Sequence, residues 1–365
     1  MTSIRRIGIL TGGGDCPGIN AVIRAVAKRA MLEYGWEVIG LEDGYDGLVH
    51  RRARRLSFED VSGILTLGGT ILGASKISNP YRYAVATASG FVFEDVSARA
   101  MATARALELE ALVCVGGDGT LGIASRLTKD GLPIVGVPKT IDNDLRGTDI
   151  TFGFDTAVAI ATEAVDRVHS TAQSHHRVMI VEVMGHKAGW IALYAGVAGG
   201  GDIILIPEVL YSLEAVAAKV QARQNRGKRF SIVVIAEGAK PKDGQAVIRK
   251  IVERAPDPVR FGGVGFVLGE ALEKATGIET RAVVLGHLQR GGPPTAFDRI
   301  LATRLGAKAV DLIAAGEFGR MAAVRGDEVV SVSLDIPGAG PRLVPLDHPL
   351  LAAARAIGTS FGDEG

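Results

Sequence analysis

Two segments of this chain carry residue types able to move a phosphoryl group. Gly116-Gly117-Asp118-Gly119-Thr120 closes one apolar run, and Pro138-Lys139-Thr140-Ile141-Asp142-Asn143-Asp144 closes the next. The first offers bare backbone and one carboxylate. That suits a nucleotide's phosphates and their magnesium, which takes one or two carboxylates beside phosphate oxygens. The alternative for Asp118 is a cap on a helix starting near Leu121. The second segment is the more specific. Asp142 stands where a general base takes the proton of an acceptor hydroxyl. Asp144 is suited to orient that base or to reach the metal through water. Thr140 can bond the transferring phosphoryl group, and Lys139 can neutralise the charge building on it. An Asx-rich turn would account for one Asp, not for both beside Thr and Lys.

Weaker signals surround these. Thr11-Gly12-Gly13-Gly14-Asp15-Cys16-Pro17-Gly18 follows a short apolar run and opens a helical pattern. Missing side chains and a helix N-terminus favour a phosphate there. The spacing matches neither common nucleotide fingerprint, and a tight turn without ligand stays open. Arg177, Arg281, His287 and Arg290 suit a sugar phosphate, since guanidinium groups match phosphate geometry. Taken singly, each arginine reads as a surface residue and His287 as a structural histidine. Glu237 follows an apolar run and could accept bonds from sugar hydroxyls or cap a helix. Arg51-Arg52-Ala53-Arg54-Arg55 reads first as a solvated loop, with an anion effector site or subunit contact as the sharper alternative; Arg24 and Lys28 invite the same comment.

These motifs need strands to end at them. Strands are predicted at 7–10, 37–41, 111–115, 133–137, 178–183, 203–206 and 231–236. Helices are predicted at 19–33, 98–109, 156–170, 190–198, 213–225 and 295–315. The βαβα alternation argues for an α/β fold with mostly parallel sheets. Ligands then bind outside the carboxyl ends of the strands, where the glycine and carboxylate motifs fall. A boundary is expected near Gly153 and a second crossing near Gly286 to Gly292. The segment after Pro337 reads as a loose tail rich in proline and glycine.

Composition narrows the class. With 365 residues, 47% of them hydrophobic, the chain has room for two domains of roughly 100–200 residues each. Its 41 basic and 40 acidic residues balance, so nothing electrostatic points to nucleic acid or a membrane surface. Cys16 and Cys114 are isolated, which fits a reducing cytosol. No signal-peptide pattern opens the chain and no apolar run reaches membrane-span length. A cytoplasmic protein is expected.

Taken in order along the chain, the motifs resemble those of the 6-phosphofructokinases. The segments ILTGGGDCPGINAVIR, GGTILGASK, VGGDGT, PKTIDND, FGFDTA, SHHRVMIVEVMGHKAGW, ETRAVVLGHLQRGG and FDRILATRLG carry the likeness from about Ile7 to about Arg320. GGDGT also occurs in NAD kinases and lipid kinases and alone names no acceptor; the set together is specific. PKTIDND and GWIAL look most like the branch, common in actinobacteria, that contains ATP-dependent and pyrophosphate-dependent members.

The resemblance implies two Rossmann-like three-layer domains. A donor domain would hold residues 1–153 and about 289–340, a sugar-phosphate domain residues 154–288, with 341–365 as the tail. It implies transfer of the donor's terminal phosphoryl to the 1-hydroxyl of fructose 6-phosphate in glycolysis. Asp142 would be the base, and Gly14, Lys76 and Gly117 to Thr120 would hold ATP, with Asp118 serving Mg2+. Thr140, Ile141, Asp142, Met184, Gly185, His186, Glu237, His287, Leu288, Gln289 and Arg290 would line the sugar-phosphate site. Arg177 and Arg281 would reach in from a neighbouring subunit of a homotetramer with shared active sites.

Donor choice turns on Gly119. Pyrophosphate-using members resemble GGDDT or GGEDT, whose extra carboxylate fills and repels the space of ATP's α-phosphate; glycine leaves it open. Lys139 cuts the other way, since pyrophosphate enzymes carry lysine there. A filled pocket excludes ATP whereas an added lysine excludes nothing, so ATP is the expected donor and pyrophosphate the alternative. Two positions depart from the family pattern. Lys76 stands for a donor-binding arginine, and His186 for the arginine of Met-Gly-Arg, with Lys187 as a replacement charge. A non-catalytic sugar-phosphate sensor is the remote rival; it would not need Asp142. A dinucleotide oxidoreductase is weaker still, because the glycine spacing is wrong.

Overall fold

The computed structural model describes residues 4–88, 90–254 and 258–364. The chain opens with β1 (Arg6–Thr11), α1 (Ile19–Tyr34), β2 (Glu37–Leu41), α2 (Tyr45–His50) and β3 (Ala53–Leu56). An antiparallel pair follows, β4 (Tyr83–Thr87) and β5 (Gly90–Glu94), then α3 (Ser97–Ala106), β6 (Ala111–Gly116), α4 (Asp118–Lys129) and β7 (Ile134–Pro138). The long α5 (Phe154–His175) leads to β8 (Val178–Val183), α6 (Trp190–Ala198), β9 (Ile203–Leu205), α7 (Leu213–Asn225) and β10 (Ser231–Ala236). A second antiparallel pair, β11 (Ile248–Ile251) and β12 (Val259–Phe261), precedes α8 (Val264–Thr276) and β13 (Thr280–Val284). Helix α9 (Ala296–Ala314) returns the chain, and β14 (Arg320–Arg325), β15 (Glu328–Ser333) and α10 (Pro349–Ala356) complete it.

The strands form a seven-stranded sheet, β15-β14-β7-β6-β1-β2-β3, and a four-stranded one, β13-β8-β10-β9. β7, β6, β1 and β2 run parallel, as does the whole second sheet. The interior strands are buried on both faces, which is why Ala-Leu-Val-Cys-Val and Ser-Ile-Val-Val-Ile-Ala lack polar alternation. The α/β expectation therefore holds, and every predicted element forms with ends moved by a few residues. The antiparallel edges β3 and β15 were not expected. Their short, half-exposed runs carry little periodic signal.

The loose tail expected after Pro337 is instead folded against the second sheet. α10 packs on α6, Ser360 bridges Ile203, and the Phe361 side chain is fully buried. Its composition hid this, because two apolar anchors are enough to seat a short segment. No helix among the described residues is long and apolar enough to cross a membrane.

Candidate active site

Three loops meet at the carboxyl ends of β1, β6 and β7. After β1, the Gly12 N–H donates to the Val115 carbonyl (2.9 Å) and the Gly13 N–H to that of Ser75 (3.0 Å). A Cβ on Gly12 would lie 2.7 Å from Thr120 Oγ1, and one on Gly14 2.8 Å from an Arg290 guanidinium nitrogen. Glycine at these positions is what lets a hydroxyl and a cation close on bare backbone.

After β6, Gly117 caps α4, which begins at Asp118 rather than near Leu121. Asp118 thus lies in the first turn, exposed, and is not the cap; its Oδ1 accepts the Gly119 N–H (2.7 Å). The helix starts early because the extended Gly117 supplies the non-helical backbone that a cap requires. A Cβ on Gly119 would meet no atom within 4 Å, so the space above it is open.

After β7, the Lys139 N–H donates to the Gly116 carbonyl (2.9 Å), prolonging the strand. Its side chain is 3% exposed and its ammonium donates to the Gly14 carbonyl. Burial pushes Lys139 down to about 8; Arg290 and Lys76 add to this, and Cys16 and Asp142 oppose it. Thr140 Oγ1 accepts the Asp142 N–H (3.1 Å). Asn143 takes a left-handed φ of 52°, and its side-chain oxygen accepts the Thr151 N–H (3.1 Å). The Ile141 side chain points into the core, so only its backbone can line a site.

Asp142 is 8% exposed, and its Oδ1 is buried without a hydrogen-bond partner among the described residues. A buried lone acceptor costs free energy until a donor meets it. Asp142 also marks the point where the two sheets' residues converge. Burial raises Asp144, with the Asp142 and Asp118 charges adding to it. Burial first, and then Asp142, raises Glu237 to about 7, although Glu237 follows β10 of the other sheet. Glu237 Oε1 accepts the His186 N–H (3.1 Å) and caps no helix.

Met184, Gly185 and His186 follow β8 directly. Gly185 has φ 145°, and a Cβ there would strike the Ala188 carbonyl oxygen at 2.4 Å. His186 is left-handed (φ 53°), with its ring 5.3 Å from that of Phe261. His287 and Leu288 are exposed in a short helical turn, and Arg290 donates to the Asp15 carbonyl (3.0 Å). The Gln289 side chain is fully buried; its Nε2 donates to the Gly286 carbonyl (3.1 Å), and its Oε1 has no hydrogen-bond partner among the described residues. Burial lowers Lys76, and Arg290 and Arg260 repel it further. Arg260 is a cation that sequence reasoning passed over; it comes from β12, whose sequence carries no motif.

Arg177 and Arg281 are not brought to this place. They stand at the amino ends of β8 and β13, both ion-paired to Glu279 (2.8 and 2.5 Å). Met184 and Glu237 follow the carboxyl ends of β8 and β10, roughly 20 Å along the strands at about 3.3 Å per residue. The basic run at 51–55 is not a plain solvated loop but the edge strand β3 and its approach. Arg52 pairs with Asp43 and Asp46, Arg54 with Asp60 and Arg55 with Glu37.

Parallel sheets with glycine loops, carboxylates and cations gathered at their strand ends define an α/β protein built to handle phosphates. The family model described as Phosphofructokinase matches residues 6–313, and the chain belongs to that family. It is 50% identical over 365 residues, the whole of both chains, to "ATP-dependent 6-phosphofructokinase 2" of Clostridium perfringens. It is also 50% identical over 340 residues to the pyrophosphate–fructose 6-phosphate 1-phosphotransferase of Amycolatopsis methanolica, covering 93% of this chain and 96% of that one. The phosphofructokinase of Pichia pastoris, solved in its T-state, superposes with a TM-score of 0.77 at 32% identity. That match covers 93% of this chain and 36% of the larger one.

Proposed function

We propose that this chain transfers the γ-phosphoryl group of ATP to the 1-hydroxyl of fructose 6-phosphate, giving fructose 1,6-bisphosphate and ADP in glycolysis. The observation that carries the reading is the lone buried oxygen of Asp142, whose charge acts on the buried Lys139. Asp142 accepts the hydroxyl proton as the oxygen attacks. Lys139 and Thr140 offset the charge that spreads over the transferring group, which is most of what phosphoryl transfer asks of a protein. Backbone of the loops at Gly12 to Gly14 and Gly117 to Thr120 receives the donor phosphates, with Lys76 and Arg260 beside them. Glu237, Met184, Gly185 and His186 hold the sugar, and His287 and Arg290 its phosphate.

Asp118 and Asp144 are hard oxygen donors of the kind and number that magnesium uses. Asp118 and Asp144 would hold such an ion beside the donor, where it would supply positive charge against the phosphates. Residues 1–153 with 289–340 form the donor domain and 154–288 the sugar-phosphate domain, in a cytoplasmic enzyme. Arg177 and Arg281 of one subunit complete the site of another in a homotetramer. Their place at the far strand ends supports this, because they face away from their own chain's Asp142.

The pyrophosphate reading has two observations in its favour: Lys139 reaches the phosphate loop, and a relative at 50% identity bears that activity's name. The open space above Gly119 favours ATP. Initial rates with fructose 6-phosphate, magnesium and either ATP or pyrophosphate decide between them. Turnover with ATP is expected. Turnover with pyrophosphate alone would mean that Lys139 and its surroundings outweigh the glycine.

A further inference from the structure

The loop that carries Asp142 is held from outside by the C-terminal segment. Left-handed Asn143 turns its carbonyl away from the strand ladder, and a buried carbonyl needs a donor. Arg342 supplies it twice, through Nη2 at 2.8 Å and Nε at 3.2 Å. The Arg342 N–H donates to the next carbonyl, that of Asp144, at 2.6 Å. Three donors of one residue therefore fix the carbonyls of the two residues that follow Asp142. The guanidinium lies 4.5 Å from the Trp190 ring centre, and the Trp190 indole N–H returns a bond to the Arg342 carbonyl (2.9 Å). Two residues on, the Val344 N–H donates to Glu208 Oε1 (2.9 Å), which also accepts the Gly189 N–H at the start of α6 (3.0 Å).

Residues 342–344 thus run as a strap from the Asp142 loop on the seven-stranded sheet to α6 on the four-stranded sheet. We propose that Arg342 is a positioning residue for phosphoryl transfer: it sets the Asp142–Asp144 backbone in register with the groups of the second sheet. The inference rests on the reading of Asp142 as the base. A carboxylate must stay within hydrogen-bond reach of the attacking hydroxyl, and a displacement of about 1 Å costs up to roughly 100-fold in rate. Substrate binding, spread over many other groups, depends far less on this register.

The test compares the full-length enzyme with Arg342→Met, which keeps a stem against Trp190 and removes the two side-chain donors to Asn143 while leaving the backbone N–H to Asp144, and with Arg342→Ala and Asp142→Ala. Arg342→Met should lower kcat roughly 10- to 100-fold, with both KM values within about threefold and the thermal midpoint nearly unchanged. Methylguanidinium added to Arg342→Ala should restore part of kcat, which a loss of stability would not allow. Arg342→Met with kcat within twofold of the parent, beside an inactive Asp142→Ala, overturns the proposal alone. So does a parallel fall in kcat, affinity and midpoint without chemical rescue. Turnover by Asp142→Ala overturns the reading of the base, and this proposal with it.

Discussion

Lys139 shows how burial sets the chemistry of a single group. Its side chain is nearly enclosed, among Arg290 and Lys76, and its proton is held more loosely than on an exposed lysine. With a folded value of about 8, the ammonium is complete below that pH and is lost as pH rises through it. The kcat/KM profile reports the free enzyme, so an alkaline limb near pH 8 is expected there. Lys139→Met should flatten that limb and lower kcat/KM at pH 7 by roughly 100-fold, the scale of one lost donor to a developing charge. An unchanged limb in the variant would mean that another group titrates. In kcat the limb should move to higher pH, because bound donor phosphates hold the proton on the lysine.

At the scale of elements, strand ends and helix starts carry the site, and the C-terminal segment braces it. α10 and Phe361 seat that segment on the second sheet, with the Arg355 guanidinium 4.8 Å from the Phe361 ring centre. Phe361→Ala would empty a fully buried aromatic site, and such changes cost about 3–5 kcal/mol. A urea unfolding series should show that loss in the midpoint. A change below about 1 kcal/mol would mean that the segment detaches without disturbing the sheet.

Across the whole molecule, the two ends of the parallel strands serve different tasks. Asp142, Glu237 and Arg290 gather on one side, while Arg177 and Arg281 stand at the far ends of their strands, held by Glu279. If those arginines serve a neighbouring subunit, Asp142→Ala and Arg281→Ala enzymes, each impaired alone, should regain activity when unfolded together and reassembled. A mixed assembly pairs an intact Asp142 with an intact Arg281 in a fraction of its sites. No gain on mixing, with hybrid assemblies present, would confine each site to one chain.

The sequence alone determined what is local. The residues of Pro138 to Asp144 are consecutive in the chain, as are those of Gly116 to Thr120, so the chemistry of each segment could be read before any fold was known. The apolar runs of β6, β8 and β10 announced buried parallel strands because both of their faces are covered. Only the tertiary structure decided which distant residues join them. That Glu237 lies within the field of Asp142, that Ile141 and Gln289 turn inward, and that Arg342 grips Asn143 all depend on where the chain crosses between two sheets. The tail escaped notice for the same reason. Its donors acquire meaning from partners 136 to 199 residues away, and no periodicity within the segment records them.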